Sequence, residues 1–178
     1  MTSGNKDVIG YVLDFGLESK IDSQNNKINQ ASQWKSSDIS FVKSQTNKPV
    51  VVKGIMTVED ALIAVKLGAD AIWISNNGGR QMDTLPSTIS VLKSISQAVN
   101  KTSPKVEIYI DSAIRRGTDV AKCLALGASM CFIGRPVAWG LHFAGKEGVE
   151  QMVNTLNEEF KIVMVLTDSM EVSKITEK

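Results

Sequence analysis

Residues Asp60–Ser75 read DALIAVKLGADAIWIS, and residues Asp119–Gly134 read DVAKCLALGASMCFIG. The two stretches match at a constant offset of 59 residues: Asp60 with Asp119, Leu67-Gly68-Ala69 with Leu126-Gly127-Ala128, Ile74 with Ile133. Each opens with a helical pattern, reaches a glycine where a helix stops, and ends in a short apolar run. A βα module repeated along one chain is the unit from which (β/α)₈ barrels are built.

The same texture extends on both sides of these copies. Pro49-Val50-Val51-Val52-Lys53 reads as a strand, and Thr57-Val58-Glu59-Asp60 opens a helix running to Leu67. Between the copies lie a helix over roughly 86–99 and a strand over 106–111; after them comes a final helix, about 149–166. The runs at 49–53, 71–75, 106–111 and 130–133 are continuously apolar, the mark of parallel strands covered on both faces. The expected class is α/β, of TIM-barrel type, with about four (β/α) units joined by right-handed crossovers: a half or incomplete barrel.

Residues 1–33 differ. They are rich in Asn, Gln, Ser and Lys, and the apolar residues of 9–17 have no firm period, so they are expected to be poorly ordered or to need a partner surface. Residues 34–178 carry the barrel units, beginning with a short helix capped by Ser36-Ser37-Asp38.

The bulk numbers bound the function. Of 178 residues, 43% are apolar and 22% charged, as in ordinary globular domains, and the net charge of +1 favours neither nucleic acid nor an anionic membrane. No apolar run reaches the roughly 18 residues of a membrane span. The first residues lack the apolar core of a signal peptide, and Ile175-Thr176-Glu177-Lys178 is no Ser-Lys-Leu peroxisomal ending. Cys123 and Cys131 sit in apolar stretches without a Cys-x-x-Cys pair or histidine cluster. They read as structural thiols in a reducing compartment, with no metal site.

Chemistry in a barrel collects at the C-terminal strand ends. Those ends carry Lys53-Gly54, then Ser75-Asn76-Asn77-Gly78-Gly79-Arg80, then Asp111-Ser112-Ala113-Ile114-Arg115-Arg116-Gly117, then Gly134-Arg135-Pro136. Small residues let backbone N–H groups approach an anion, and arginine offers a hydrogen-bonding fork to phosphate. Arg115, Arg116 and Arg135 are therefore candidate phosphate ligands, with ordinary surface charge as the plain alternative. Lys53 either snorkels to solvent or sets a positive charge beside an electron-rich ring.

Together these motifs resemble the FMN-dependent 2-hydroxy-acid oxidase/dehydrogenase family, in its glycolate oxidase-like branch, from about Trp34 onward. The resemblance implies FMN as cofactor and a small 2-hydroxy acid as substrate, oxidised to a 2-oxo acid while O₂ becomes H₂O₂. It implies that Lys53 and Ser75 contact the flavin and Arg80 binds the substrate carboxylate. By the same resemblance Asp111, Ser112, Ala113, Ile114, Arg115, Gly134 and Arg135 hold the ribityl and phosphate groups. The pattern continues through Gln81 and Asp83, and the site is cytoplasmic or peroxisomal by family.

Two departures stand out. Where the family has Ser-Asn-His-Gly, with histidine as the base, this chain has Asn77, whose amide cannot take a proton near neutral pH. His142, the one histidine, reads as a helix residue. The Asp-Gly-Gly-Val-Arg loop is here Asp111-Ser112-Ala113-Ile114-Arg115, with less backbone freedom. A whole barrel takes about 250 residues, and the four units match its strands five to eight. The expectation is weak or absent activity for this chain alone. Two alternatives stand beside it: an FMN- or phosphate-binding pseudoenzyme, and a half-barrel that pairs with another chain, homo-oligomers included, through open sheet edges.

Overall fold

The computed structural model describes residues 36–80 and 82–177, together with the backbone of three short strands nearer the N-terminus. The elements in chain order are β1 (Tyr11–Asp14), β2 (Lys20–Asp22), β3 (Lys27–Asn29), α1 (Ser36–Gln45), β4 (Val50–Ile55), α2 (Val58–Lys66) and β5 (Ala71–Ile74). They continue with α3 (Thr88–Thr102), β6 (Glu107–Ile110), α4 (Gly117–Ala125), β7 (Met130–Cys131) and α5 (Arg135–Leu166). Single 3₁₀ turns follow β5 at Asn77–Gly79 and α5 at Val172–Lys174.

Five strands form one parallel sheet in the order β1-β4-β5-β6-β7. The strand-helix alternation from β4 onward is the α/β pattern expected. The two copies of the repeat close alike. Ala69 N–H donates to Ala64 O and Ala128 N–H to Cys123 O, at 3.1 and 3.0 Å. Gly68 and Gly127 take φ of 94° and 102°, open to glycine alone without strain.

Elements differ from expectation at three places. No strand is legible before Pro49, yet β1 pairs in parallel with β4, and β2 with β3 antiparallel. β2 and β3 are polar and pair through backbone hydrogen bonds that need no apolar signature, and the apolar Tyr11-Val12-Leu13 of β1 is too short a run to stand out among polar neighbours. The remainder of residues 1–33, and with it the expectation of disorder there, lies outside the described residues. β7 spans two residues rather than four. α5 begins at Arg135, far earlier than 149, because Pro136 suits a helix's first turn. It breaks at Ala144-Gly145, where Gly145 has φ of 59°. His142 lies exposed on its first part, as a helix residue.

One sheet face is fully covered. Val50, Val52, Ile72, Ile74, Ile108 and Ile110 are buried against Ala61 and Ala64 of α2, Leu92, Ile95 and Val99 of α3, and Cys123 of α4. Burying side chains of this size contributes about 1.5–3 kcal/mol each. Asp70 pins the start of β4: its carboxylate accepts from Val50 N–H and Lys43 Nζ, both at 2.7 Å. Burial raises its pKa, but these two bonds outweigh burial and hold it below the usual carboxylate value.

The other face is less covered, with Lys53, Trp73 and Tyr109 half-buried and Met130 exposed, whereas the sequence texture predicts cover on both faces. Lys53, Trp73, Tyr109 and Met130 stand in one register row across it. Phe132 stacks on Trp73 with centroids 4.0 Å apart. In barrels this is the interior face. Both cysteines are free, Cys123 buried and Cys131 half-buried. Among the described residues no helix is long and apolar enough to cross a membrane.

Candidate functional site

The C-terminal ends of β4, β5, β6 and β7 surround a cavity of about 430 Å³, lined by Lys53, Asn77, Gly78, Arg80, residues 111–115 and Gly134-Arg135, with Trp73, Phe132, Ile133 and Ala138 completing its wall. That volume lies within the range of small-molecule sites. Of the residues given a cofactor, substrate or phosphate role from sequence, all line it except Arg116 and Ser75, the latter 2% exposed and set behind the turn.

Lys53 reaches the cavity because β4 bends just beyond it. The register with β5 shifts between Lys53 and Ile55, and Gly54 has φ of 96°. Its Nζ donates to Asn77 Oδ1 at 2.5 Å and lies 5.7 Å from the Trp73 ring centroid.

The turn after β5 is built from left-handed residues. Asn77, Gly78 and Gly79 have φ of 52°, 69° and 72°. Asn tolerates that region better than other side-chain-bearing residues, and glycine enters it freely. Asn76 Oδ1 caps the turn by accepting from Gly79 N–H at 3.2 Å, and Ser75 Oγ accepts from Asn77 N–H at 3.1 Å. Ser75 therefore acts on the cavity through the backbone of Asn77. Arg80 is exposed, its Nε donating to Asn77 O at 2.9 Å. Gln81 lies outside the described residues. Asp83 is exposed, and its Oδ1 accepts from Thr84 N–H.

Two side chains tie this turn to the other rims. Gly78 N–H donates to Ser112 Oγ at 3.1 Å, and Ser112 Oγ donates to Asp111 Oδ1 at 2.7 Å. Arg135 Nη2 donates to Gly78 O at 2.7 Å. Ser112 and Ala113 stand at φ of 75° and 61°, so the loop keeps a glycine-like path with side chains on it. Thr88 Oγ1 holds Asp111 O at 2.7 Å from the start of α3.

The three candidate arginines separate. Arg135 and Arg115 line the cavity, but Arg116 does not. Arg116 Nε pairs with Glu159 of α5 at 2.7 Å, and the other Glu159 oxygen takes Gly117 N–H at 2.8 Å. The Arg116 bond holds the Glu159 carboxyl below its usual pKa. α5 packs so closely here that a Cβ on Gly117 would overlap the backbone of Phe160. Arg115 Nη1 donates to Ile114 O, and its guanidinium lies 5.0 Å from the Trp139 ring centroid. Sequence does not mark Trp139, because a position one turn into a helix carries no strand-end signal.

The lining carries four cationic side chains, Lys53, Arg80, Arg115 and Arg135, against one carboxylate, Asp111. Trp73 Nε1 is buried without a hydrogen-bond partner. A concave site with excess positive charge, an aromatic floor and an unused donor suits a planar, phosphate-bearing group with acceptor atoms.

The family described as FMN-dependent dehydrogenase matches residues 8–178, reaching N-terminal of Trp34 into the polar segment. A 2-hydroxyacid oxidase of Dictyostelium discoideum is 46% identical over 163 residues, covering 92% of this chain and 40% of the relative. A peroxisomal (S)-2-hydroxyacid oxidase of Arabidopsis thaliana is 46% identical over 80% of this chain and 38% of its own length. A solved mandelate oxidase with benzoyl-formic acid superposes with a TM-score of 0.76 at 41% identity, covering 82% of this chain and 42% of that one. The chain thus spans about two fifths of the length of the curated relatives it matches.

Proposed function

This chain belongs to the FMN-dependent dehydrogenase family, and from that premise we propose that residues 34–178 form the flavin- and carboxylate-binding rim of a 2-hydroxy-acid oxidase whose base is replaced by an amide. FMN is the family's cofactor, and when bound it supplies the hydride acceptor. The residues present fit it: the cavity has the size, the cationic excess and the aromatic floor.

In this reading Arg135, Arg115 and the backbone of the 111–115 and Gly134 loops hold the phosphate and ribityl groups. Lys53 and Ser75 serve the ring, Lys53 by placing positive charge where reduced flavin is negative. Arg80 grips the carboxylate of a small 2-hydroxy acid, for which its planar fork is suited. Nucleic acid and membrane play no part. The compartment is cytoplasmic or peroxisomal, the latter favoured by the peroxisomal Arabidopsis relative.

The observation that carries the proposal is the Lys53–Asn77 bond. Asn77 Oδ1 is committed to the lysine ammonium, and its remaining side-chain polar atom is a donor. No atom of residue 77 can take the substrate proton, so the chain is weak or inactive as an oxidase. The absorption spectrum of the purified chain tests the cofactor half of this reading: a flavin band is expected, and a colourless protein that leaves added FMN fluorescence unquenched overturns it.

A second reading is favoured by the half-buried row of Lys53, Trp73 and Tyr109 and by the short edge strand β7, whose Met130 is 49% exposed. Apolar surface of this kind beside an open edge invites pairing with another chain, a second copy included. Sedimentation of a monodisperse monomer overturns the self-pairing form of it.

A further inference from the structure

We infer that Asn77 is a self-modifying residue, converted by its own neighbours into an acidic one. Asn77-Gly78 is the only Asn-Gly dipeptide in the sequence. Glycine after asparagine matters because no Cβ shields the following backbone nitrogen from the side-chain amide. Asparagine is among the thermolabile residues for this reason.

The structure surrounds that dipeptide with the groups the reaction needs. Asn77 Oδ1 accepts from the Lys53 ammonium at 2.5 Å, which draws electrons from the amide carbon and steadies negative charge on the oxygen. Ser75 Oγ lies at 3.5 Å from the same oxygen. Gly78 N–H points to Ser112 Oγ at 3.1 Å, and Ser112 in turn donates to Asp111 Oδ1 at 2.7 Å. Both bonds run in the direction that carries a proton from Gly78 N to a carboxylate. The electrophile is polarised on one side and the nucleophile has a proton exit on the other. Asn76 lacks this arrangement: its following residue carries a Cβ, and its oxygen caps Gly79 N–H.

The steps balance without any outside oxidant or reductant. Gly78 N attacks Asn77 Cγ as its proton passes to Ser112 and on to Asp111. The Cγ–Nδ2 bond breaks, ammonia leaves with that proton, and a succinimide remains. Water then opens either imide carbonyl, giving aspartate or isoaspartate at position 77. Aspartate there sets a carboxylate beside Lys53, at the position where the resemblance implies the family's base. That catalytic consequence rests on the proposed function; the modification itself does not.

The test is peptide mapping by mass spectrometry on the full chain, held folded and, in parallel, in concentrated urea. The expected result is faster amide loss at Asn77 in the folded chain than in urea, with Asn76 and Asn100 unchanged. Ser112→Ala and Lys53→Met slow the folded rate on the order of tenfold or more, the range of a positioned proton acceptor or charge, and leave the urea rate alone. A folded rate equal to or below the urea rate overturns the inference with no variant needed. A fast folded rate that both variants retain removes Lys53 and Ser112 from the reaction and overturns it as stated. Neither readout depends on flavin or turnover, so failure here is distinct from failure of the functional reading.

Discussion

The ammonium of Lys53 donates to the side-chain oxygen of Asn77, joining the end of β4 to the turn after β5. In the proposed reading, a cation and an amide share the place where the family reaction needs a proton acceptor. The bond engages the one acceptor atom of the Asn77 side chain. The pair can orient and neutralise a bound anion, but it cannot remove a proton.

Asn77→His therefore should raise the rate of flavin reduction by a 2-hydroxy acid by about 10²–10⁴-fold, the usual contribution of a general base. Asn77→Asp should give a smaller gain, because Lys53 then holds the carboxylate charged and lowers its basicity. Single-turnover kinetics on the FMN-loaded proteins measures both. Equal rates in all three would place the defect elsewhere.

Ala113→Gly should stabilise the fold by about 0.5–1 kcal/mol. A left-handed alanine costs roughly 1–2 kcal/mol, and the extra freedom of glycine when unfolded returns about 0.5–1 of that. Ser112→Gly should not stabilise, although Ser112 stands at a similar φ, because it loses the bonds to Gly78 N–H and Asp111. Chemical denaturation of the two variants separates these outcomes. FMN should bind more tightly to Ala113→Gly alone.

Gly78→Ala should cost about 1–2 kcal/mol from its φ of 69°. The new Cβ would lie 2.9 Å from Arg135 Nη2, so Arg135 must swing away from Gly78 O. FMN affinity should fall with it, measured by fluorescence quenching. Unchanged affinity would remove Arg135 from the phosphate site.

Much of this was legible in the sequence, for physical reasons. Gly68 and Gly127 announced the repeat because the same left-handed helix closure needs glycine twice. The rim was legible because polar residues following buried strands must gather at one end. Other features depend on relations that sequence does not carry. β1 pairs with β4, but its apolar run, Tyr11-Val12-Leu13, is only three residues long and has no period to mark it as a strand. Trp73 joins the site because register sets it beside Lys53. Arg116 looked equivalent to Arg115, but the approach of Glu159 on α5 turns it to a structural ion pair. Ser112 looked like a poor glycine, and the fold uses its hydroxyl to bind Gly78 to Asp111.

Tyr109 provides a pH test of the interior face. Its hydroxyl donates to Glu107 at 2.5 Å, and this bond, with burial and the carboxylate charge, pushes its pKa up to about 12. The folded pKa exceeds the unfolded value near 10, so the folded state favours the protonated phenol. That contribution is fully present below pH 10 and is lost as pH rises from about 10 to about 12. Ultraviolet titration of the chain against Tyr109→Phe should show the missing phenolate step near pH 12. Glu107→Gln should bring that step down toward 10, and a Tyr109 step already near 10 in the unchanged chain would contradict the contact.

Anaerobic addition of glycolate or lactate to the FMN-loaded chain, followed by its visible flavin absorbance, reads directly whether residue 77 can serve as a base. With residue 77 verified as asparagine, the band should persist over the time in which that of Asn77→His bleaches. Rapid bleaching of the unchanged chain would contradict it.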